Sequence, residues 1–369
     1  EIWLATEGLN IETIIPNLKG VCALFDIEIL ESILKFPQRS ILIIKANYAQ
    51  LSELITSFGL IAEIRKTEEL NSFWLNQNIT ENNDWIEEAL NLVDFTKTNN
   101  FISILDSGIN NGHRLIEPIL DEVNRLTVEP GWGVNDSMGH GTSMAGIAIY
   151  GNLNAILENK KPLEIHHQIE SVKILHPNLP NEQNKYPLIT LEAVNRAIIN
   201  NPNAKRIFCM AVTTDFQVDF GKPSAYSSVL DSIIFGEDIN DKKIFLFSAG
   251  NVRGEHNWKN YPVSNLNLSV ESPAQSWNAI SIGAYTEKIL PDAATVANKF
   301  ELSPFSTTSS SWDSNWPIKP EVVFEGGNLI RLENGDVEGH DDLEVLTTSR
   351  NSIRHHFTTM NATSAATAF

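Results

Sequence analysis

The chain has 369 residues, of which 42% are hydrophobic and 20% are charged, a composition that excludes a disordered or membrane-embedded protein. Its 27 Lys and Arg against 46 Asp and Glu give a net charge of −19, which repels phosphate backbones and makes nucleic acid an unfavourable partner. No apolar run approaches the roughly 18 to 20 residues needed to cross a bilayer, so we expect no membrane span.

The first 83 residues predict a small α/β module that is separate from the rest of the chain. Apolar spacing in this part predicts short strands that alternate with helices, and the Asn-rich residues 76–84 predict a linker. We therefore place a domain boundary after residue 83, with a second domain over residues 84–369. The predicted strands of the module are residues 21–25, 40–45 and 60–64, and its predicted helices are residues 28–36 and 49–58.

Residues 84–369 alternate apolar strands with helical patterns, which predicts an α/β domain with a mostly parallel sheet and helices on both faces. In such sheets, functional side chains gather at the carboxyl ends of the strands. The predicted strands are residues 101–105, 170–175, 207–212, 244–247 and 279–284, and the predicted helices begin near His140 and cover residues 191–199 and 227–235.

The two cysteines, Cys22 and Cys209, lie far apart in the sequence, and each stands in an apolar stretch. Such positions predict buried free thiols rather than a disulfide. The first residues show no basic segment followed by an apolar run, so no secretory signal is visible. These observations together predict a cytoplasmic protein.

Four polar residues stand where a catalytic site would form. Asp106 and Asn251 each follow a predicted strand, His140 stands between two glycines, and Ser364 precedes a run of small helix-forming residues. Each of them alone is typical of a turn, a loop or a helix cap. A serine hydroxyl becomes a nucleophile at neutral pH only beside a base, and that base needs an orienting partner. None of the four residues identifies a site by itself, and only their order along the chain makes them informative.

In their order along the chain, the motifs around these residues resemble the subtilases, the subtilisin-like serine proteases. The resemblance covers about residues 84–369 and implies a subtilisin-like fold with the chain order Asp, His, Ser. The motifs are Asp106-Ser107-Gly108, the segment from His140 to Gly146, Gly250-Asn251 and the segment from Ala362 to Ala366, with further similarity at residues 272–284 and 319–323.

This resemblance implies a serine endopeptidase with Ser364 as nucleophile, His140 as general base and Asp106 as the carboxylate that orients the base. The Asn251 side chain and the Ser364 backbone N–H would form the oxyanion hole. Substrate-binding strands are implied around Met210, Ala211, Val212, Thr213, Ser248, Ala249 and Gly250.

The sequence departs from the family pattern at three places. Ala211 and Thr213 replace the usual Ser-x-Gly, so we expect a specificity pocket for small or medium apolar side chains. Ala362 replaces a glycine that would permit a close backbone approach or positive φ, and we expect alanine to narrow the site. The chain ends at Phe369, shortly after Ser364, so we expect the catalytic domain to be incomplete at that end.

Residues 319–328 resemble intracellular bacterial subtilases, some of which occur beside ATPases. The resemblance therefore implies a regulated protease with a protein or peptide substrate and an ATPase as regulatory partner. Residues 1–83 would be an inhibitory prosegment or an accessory domain, and the missing secretory signal favours the accessory domain. The alternative function is a non-catalytic, subtilase-shaped module that binds a peptide or partner, and a third is an esterase or peptide ligase with the same triad.

Metal sites are weaker candidates. Carboxylate oxygens suit calcium, but the spacing of the acidic cluster lacks a calcium-loop pattern, so we expect a solvated hairpin and no cofactor, with a structural calcium ion as the alternative. Adjacent histidines point apart, so we expect no metal at His166-His167 or His355-His356, and we expect His113 to be structural. The acidic cluster comprises Asp336, Glu338, Asp341, Asp342 and Glu344.

Overall fold

A computed structural model describes residues 1–65, 70–158, 162–214, 220–236, 241–290 and 293–369, without the side chains of residues 31, 32 and 34. The chain divides into two units, Glu1–Glu69 and Leu70–Phe369. The boundary lies after residue 69 rather than after residue 83, because Trp74 belongs to the core of the second unit and Leu75 packs against that core.

The first unit is a four-stranded antiparallel sheet with two helices, in the order βαββαβ. The sheet order β2-β3-β1-β4 is that of a split βαβ fold. Its core includes Ile2, Leu18, Leu42 and Leu54, all fully buried, and the buried free thiol of Cys22. The elements are β1 (Ile2–Ala5), α1 (Ile11–Leu24), β2 (Glu28–Lys35), β3 (Arg39–Lys45), α2 (Tyr48–Ser57) and β4 (Ile61–Ile64).

Two element predictions in this unit are wrong. Residues 21–25 are the end of α1 rather than a strand, because Ile14, Leu18 and Cys22 lie four residues apart on one buried helix face. Residues 28–36 form the strand β2 rather than a helix. The predicted strands at residues 40–45 and 60–64 and the predicted helix at residues 49–58 are confirmed to within one or two residues.

The predicted linker at residues 76–84 is also wrong, because helix α4 (Ile79–Leu90) begins inside it. The Asn78 side chain accepts hydrogen bonds from the backbone N–H of Thr80 and of Glu81, and the Glu81 side chain bonds back to the Asn78 N–H. These reciprocal bonds form a capping box. The asparagines that suggest a linker are therefore part of a helix start.

The second unit holds the remaining elements. Its helices are α3 (Asn71–Asn76), α4, α5 (His140–Tyr150), α6 (Leu153–Glu158), α7 (Tyr186–Asn200), α8 (Ala225–Phe235), α9 (Glu255–Lys259), α10 (Val263–Asn267) and α11 (Ala362–Ala368). Its strands are β5 (Val93–Phe95), β6 (Asn100–Asp106), β7 (Arg125–Thr127), β8 (Leu163–Ile165), β9 (Gln168–Lys173), β10 (Lys205–Met210), β11 (Ile244–Ser248), β12 (Ile280–Thr286), β13 (Glu301–Leu302), β14 (Val322–Glu325), β15 (Ile330–Arg331), β16 (Val337–Glu338), β17 (Val345–Thr348) and β18 (Phe357–Met360).

The central sheet of this unit has eight strands, in the order β13-β12-β11-β10-β6-β9-β7 with β14 paired to β12. Its pairings are parallel except that between β12 and β13. The five strands predicted for this part of the chain correspond to β6, β9, β10, β11 and β12. The predicted fold class, a mostly parallel sheet with helices on both faces, is thus confirmed.

Each face of the sheet carries its own hydrophobic core, because successive strand side chains point to opposite faces. On one face, Ile104 and Cys209 pack with residues of α5 and α11, and on the other, Leu105 and Phe208 pack with residues of α7 and α8. Cys209 is a buried free thiol. None of the helices in the described ranges is both long enough and apolar enough to span a bilayer.

Candidate active site

Three of the predicted site positions lie at one edge of the sheet. Strands β11, β10 and β6 are neighbours and run parallel, so their carboxyl ends reach the same edge. Asp106 ends β6, Ala211 follows β10, and Asn251 lies three residues beyond the end of β11. The fold alone therefore brings the carboxylate and the amide to one side of the molecule.

Asp106 and His140 form a hydrogen-bonded pair. The distance from Nδ1 of His140 to Oδ2 of Asp106 is 2.7 Å, and the other oxygen of Asp106 accepts the Ser107 backbone N–H. Asp106 is buried, whereas 34% of the His140 side chain is exposed. Burial alone lowers the pKa of His140, but the charge and hydrogen bond of Asp106, together with the charge of Asp136, raise that pKa above its usual value. This carboxylate thus stabilises the imidazolium form.

Asp136, which sequence reasoning missed, organises the loop that delivers His140. The buried carboxylate of Asp136 accepts the backbone N–H groups of Met138, Gly139 and Thr142 and the hydroxyls of Ser107 and Thr142. It therefore ties the loop before α5 to the turn after β6. In the sequence, Asp136 is a single charged residue four positions before His140, and nothing around it indicates that it would accept so many hydrogen bonds.

Gly141 must be a glycine because the chain passes very close to the turn after β6. A Cβ at this position would collide with the Gly108 carbonyl oxygen and would lie 3.3 Å from the Asp106 Cβ. The glycine beside His140 thus permits the close approach that lets the imidazole reach Asp106.

Ser364 lies in the first turn of α11, and its side chain faces the same cavity as His140. The cavity has a volume of about 340 Å³. The Ser364 hydroxyl is 3.4 Å from the Ala211 carbonyl oxygen, which places it beside the end of β10. The cavity is lined by His140, Asn251, Glu344, Thr359, Met360, Asn361, Ala362 and Ser364.

The Asn251 side chain is held by its oxygen. Oδ1 accepts the Thr363 backbone N–H at 3.1 Å and the Thr363 hydroxyl at 2.6 Å, which leaves the amide NH₂ as the donor for the cavity that Asn251 lines. The Ser364 N–H belongs to the first turn of α11, where N–H groups have no partner within the helix. These two groups have the chemistry of an oxyanion hole.

Ala362 has φ of +67°, a left-handed conformation that glycine adopts without strain. Its backbone N–H donates to the Gly326 carbonyl at 2.7 Å, which holds the residue in this conformation. Positive φ is one of the two features that a glycine at this position would permit, and Ala362 adopts it. The residue also lines the cavity.

The residues predicted to bind substrate lie at the ends of β10 and β11, but several side chains are buried. Met210, Ser248 and Ala249 are almost inaccessible, backbone included, so they offer a peptide little surface. Val212 and Thr213 line a neighbouring cavity of about 230 Å³, and Ala211 is largely buried. The other residues that line this neighbouring cavity are mostly apolar and include Ile174, Leu175, Pro177, Ile189 and Tyr226.

Two glutamates near the site were not predicted as site residues. Glu344, expected in an acidic hairpin, lines the cavity of Ser364 and accepts the Asn361 side-chain N–H at 2.5 Å. Burial raises the pKa of Glu344. Glu271 lies between the segments that follow β10 and β11, since its carboxylate accepts the Thr213 hydroxyl and its N–H donates to the Ala249 carbonyl. The only indication of Glu271 in the sequence is its position directly before residues 272–284, the segment that is similar to the subtilases.

The acidic cluster does not converge on one point. Asp336 pairs with Lys259, Asp342 accepts hydrogen bonds from Ser72 at the start of α3, and Glu344 faces the cavity. Within the described ranges, no three His, Cys, Asp or Glu side chains are grouped as metal ligands.

Three other histidines, His113, His356 and His166, make contacts away from the cavity. His113 is fully buried, with Nε2 2.8 Å from the His356 carbonyl and Nδ1 accepting the Leu115 N–H. Burial lowers the pKa of His113 to about 4, so it is neutral at pH 7. His356 lies 2.9 Å from the Asn83 side chain, and His166 pairs with Glu164.

A family model described as the subtilase family matches residues 97–369, whereas no curated protein gave a significant match. Several solved structures are similar to the chain. They include Sphericase (16% identity, 74% of this chain and 75% of that chain, TM-score 0.48), the epidermin leader peptide processing serine protease EpiP of Staphylococcus aureus (15%, 100% and 85%, 0.44) and the CspB protease of Clostridium perfringens (14%, 73% and 80%, 0.48). Because the family model covers most of the chain, this protein belongs to the subtilase family.

Proposed function

We propose that this chain is a serine endopeptidase that cleaves peptide bonds with Ser364, His140 and Asp106. The observation that carries the proposal is the 2.7 Å contact between His140 and Asp106 beside a cavity that His140 shares with Ser364 and Asn251. A hydroxyl, an imidazole, a carboxylate and an amide donor are the groups that acyl transfer requires.

In the proposed reaction, Ser364 Oγ attacks the carbonyl carbon of the scissile bond while His140 takes the hydroxyl proton. Asp106 accepts the Nδ1–H of the imidazole and stabilises the imidazolium. The negative charge that develops on the carbonyl oxygen is stabilised by Asn251 Nδ2 and the Ser364 N–H. The imidazolium then gives its proton to the leaving amine, and a water molecule deacylates Ser364 by the same proton path.

The experiment is labelling with an alkyl fluorophosphonate, followed by a peptide cleavage assay. We expect the chain to be labelled and Ser364→Ala to remain unlabelled, with a loss of activity on the order of 10⁶. Ser228→Ala, which removes an exposed hydroxyl on α8, is the matched control and should be labelled normally.

Two outcomes would contradict the proposal. A folded chain that is not labelled would be a non-catalytic module that binds a peptide or partner. Labelling of Ser364 without cleavage of any peptide would indicate an esterase or a peptide ligase.

We also propose that the protease acts inside the cell under the control of a partner protein such as an ATPase. The support is the two buried free thiols and the similarity of residues 319–328 to intracellular subtilases. The unit Glu1–Glu69 would be an accessory domain. If the peptidase rate rises after cleavage at a protease site inserted between the two units, the unit is instead inhibitory.

A further inference from the structure

Glu271 is fixed between the two chain segments that follow β10 and β11. Its backbone N–H donates to the Ala249 carbonyl at 2.9 Å, and its Oε2 accepts the Thr213 hydroxyl at 2.5 Å. The side chain also lies against Gly250, where an added Cβ would be only 2.5 Å from the Glu271 Cγ. Backbone, hydroxyl and packing contacts therefore hold this carboxylate in one place.

The Glu271 carboxylate already binds a cation. Nη1 of Arg253 lies 2.5 Å from Oε1, and Nη2 lies 3.3 Å from Oε2. The exposed fraction is 13% for the Glu271 side chain and 49% for the Arg253 side chain. The carboxylate is thus largely shielded, whereas its partner reaches it from the solvent side.

The position of the reacting groups fixes where a substrate side chain would enter. The attacked carbonyl carbon must lie within reach of Ser364 Oγ. That hydroxyl oxygen is 3.4 Å from the Ala211 carbonyl oxygen. The carbonyl oxygen must face Asn251, which follows Gly250 in the chain. The substrate side chain on the acyl side of the scissile bond is attached one carbon away, so it enters between the segments that Glu271 bridges.

We propose that Glu271 makes this site selective for substrates with Lys or Arg on the acyl side of the scissile bond. The inference rests on the proposed function, and it replaces the expectation of an apolar specificity pocket. A shielded carboxylate favours a cationic side chain by charge and by charge-assisted hydrogen bonds. A guanidinium or ammonium group from the substrate shares Glu271 with Arg253 or displaces it, because the half-exposed Arg253 side chain returns readily to water.

The test compares two irreversible inhibitors that differ only in the acyl-side group. These are peptidyl diphenyl phosphonates with a lysine-like or a leucine-like side chain, used beside the alkyl fluorophosphonate. We expect the lysine-like reagent to inactivate the chain at least about 10-fold faster than the leucine-like one. In Glu271→Gln this ratio should fall to about one or below, and Glu271→Asp should keep part of it.

Glu192→Gln is the matched control, because it removes an equal charge that is paired with Arg196 on the exposed side of α7. Its ratio should equal that of the unmodified chain. Thermal melting of each variant shows that the fold is retained, and the ratio within one variant cancels differences in the active fraction.

The outcomes separate the two proposals. If the alkyl fluorophosphonate does not react, the proposed function fails. If it reacts, but the leucine-like reagent is as fast as the lysine-like one, only the selectivity is overturned. If the ratio is high and Glu271→Gln preserves it, a basic preference exists but Glu271 is not its cause, which overturns the inference.

Discussion

Ala362 stands where the subtilase pattern usually has a glycine, so this site carries an additional methyl group. At φ of +67°, a residue with a Cβ is strained by roughly 1 to 2 kcal/mol. Gly326 and Gly327 border the same segment and have no side chains to obstruct it, since an added Cβ at Gly326 would lie 2.9 Å from the Ala362 carbonyl oxygen. The conformation is therefore imposed by close backbone packing.

We expect Ala362→Gly to raise the free energy of unfolding by up to about 1 kcal/mol, since relief of strain exceeds the added chain entropy of glycine. Urea denaturation measures this change. Ala365→Gly in the same helix is the matched control, because Ala365 is buried within α11, and it should destabilise by about 1 kcal/mol. Equal destabilisation by both substitutions would show that residue 362 is not strained.

The pH dependence of activity should follow His140. Because Asp106 raises the pKa of His140 above 6.5, the base is protonated and inactive at mildly acid pH, and kcat/KM should rise through a midpoint above 6.5. Asp106→Asn should lower that midpoint and reduce kcat by about 10⁴. A pH profile of peptide cleavage for both proteins tests this. An unchanged midpoint in the variant would exclude Asp106 as the group that holds the proton on His140.

At this scale, sequence reasoning finds the residues that occur in compact motifs and misses those defined by contacts. Asp106, His140, Asn251 and Ser364 stand in recognisable neighbourhoods. Glu271 acquires its place only because strands far apart in sequence meet, with Thr213 on one side and Ala249 and Gly250 on the other. No local spacing encodes such a meeting.

Among the elements, β2 shows why apolar spacing can mislead. Its pairing with β3 shifts register between Ile29 and Ile33, which face Ile44 and Leu42 respectively. Four residues of β2 thus pass where β3 uses two, as in a bulged strand. Apolar residues four apart then look helical although the chain is extended. Pairing with β3 therefore determines that this segment is a strand, and its own apolar spacing does not reveal that.

Glu170 in β9 and Arg206 in β10 form a buried ion pair within the sheet. Nε of Arg206 lies 2.9 Å from Oε2 of Glu170, and both side chains are almost inaccessible. We expect Arg206→Met to lower the free energy of unfolding by about 3 to 5 kcal/mol, because the buried Glu170 charge loses its cationic partner and keeps only the Ser103 hydroxyl and the Asn201 amide as donors. The measurement is urea denaturation.

The control for this prediction is Arg196→Met. Arg196 pairs with Glu192 at 2.8 Å on the surface of α7, with 37% and 49% of the side chains exposed. Removing an exposed pair should cost less than about 1 kcal/mol. Similar losses in the two variants would mean that burial does not strengthen the Glu170 link.

For the whole molecule, the buried and neutral His113 makes the free energy of unfolding fall as the pH is lowered. The folded pKa of about 4 lies below the unfolded value of 6.5, so the unfolded chain binds the proton first and stability falls as pH falls from 6.5 towards 4. Between pH 8 and pH 5, His113 alone should cost about 2 kcal/mol. His113→Gln keeps a donor for the His356 carbonyl but cannot titrate.

Urea midpoints of both proteins at pH 8 and pH 5 test this prediction. The loss of stability on acidification should be smaller in His113→Gln than in the unmodified chain by that amount. The raised pKa of His140 acts in the opposite direction but equally in both proteins, so it cancels in the comparison. Parallel losses would show that His113 is not the acid-sensitive group.

Helix α5 is docked on the hairpin β17–β18 through Gly146, where an added Cβ would lie 2.8 Å from the Thr348 backbone nitrogen. The hydroxyls of Thr347 and Thr348 bond to carbonyls within α5, and β18 leads directly into the turn before Ser364. The packing of α5 on this hairpin thus sets the distance between the His140 imidazole and the Ser364 hydroxyl. A methyl group at residue 146 would push α5 away from the hairpin. Gly146→Ala should therefore keep every reactive group but displace His140 from Ser364, so that turnover falls while the sheet stays intact.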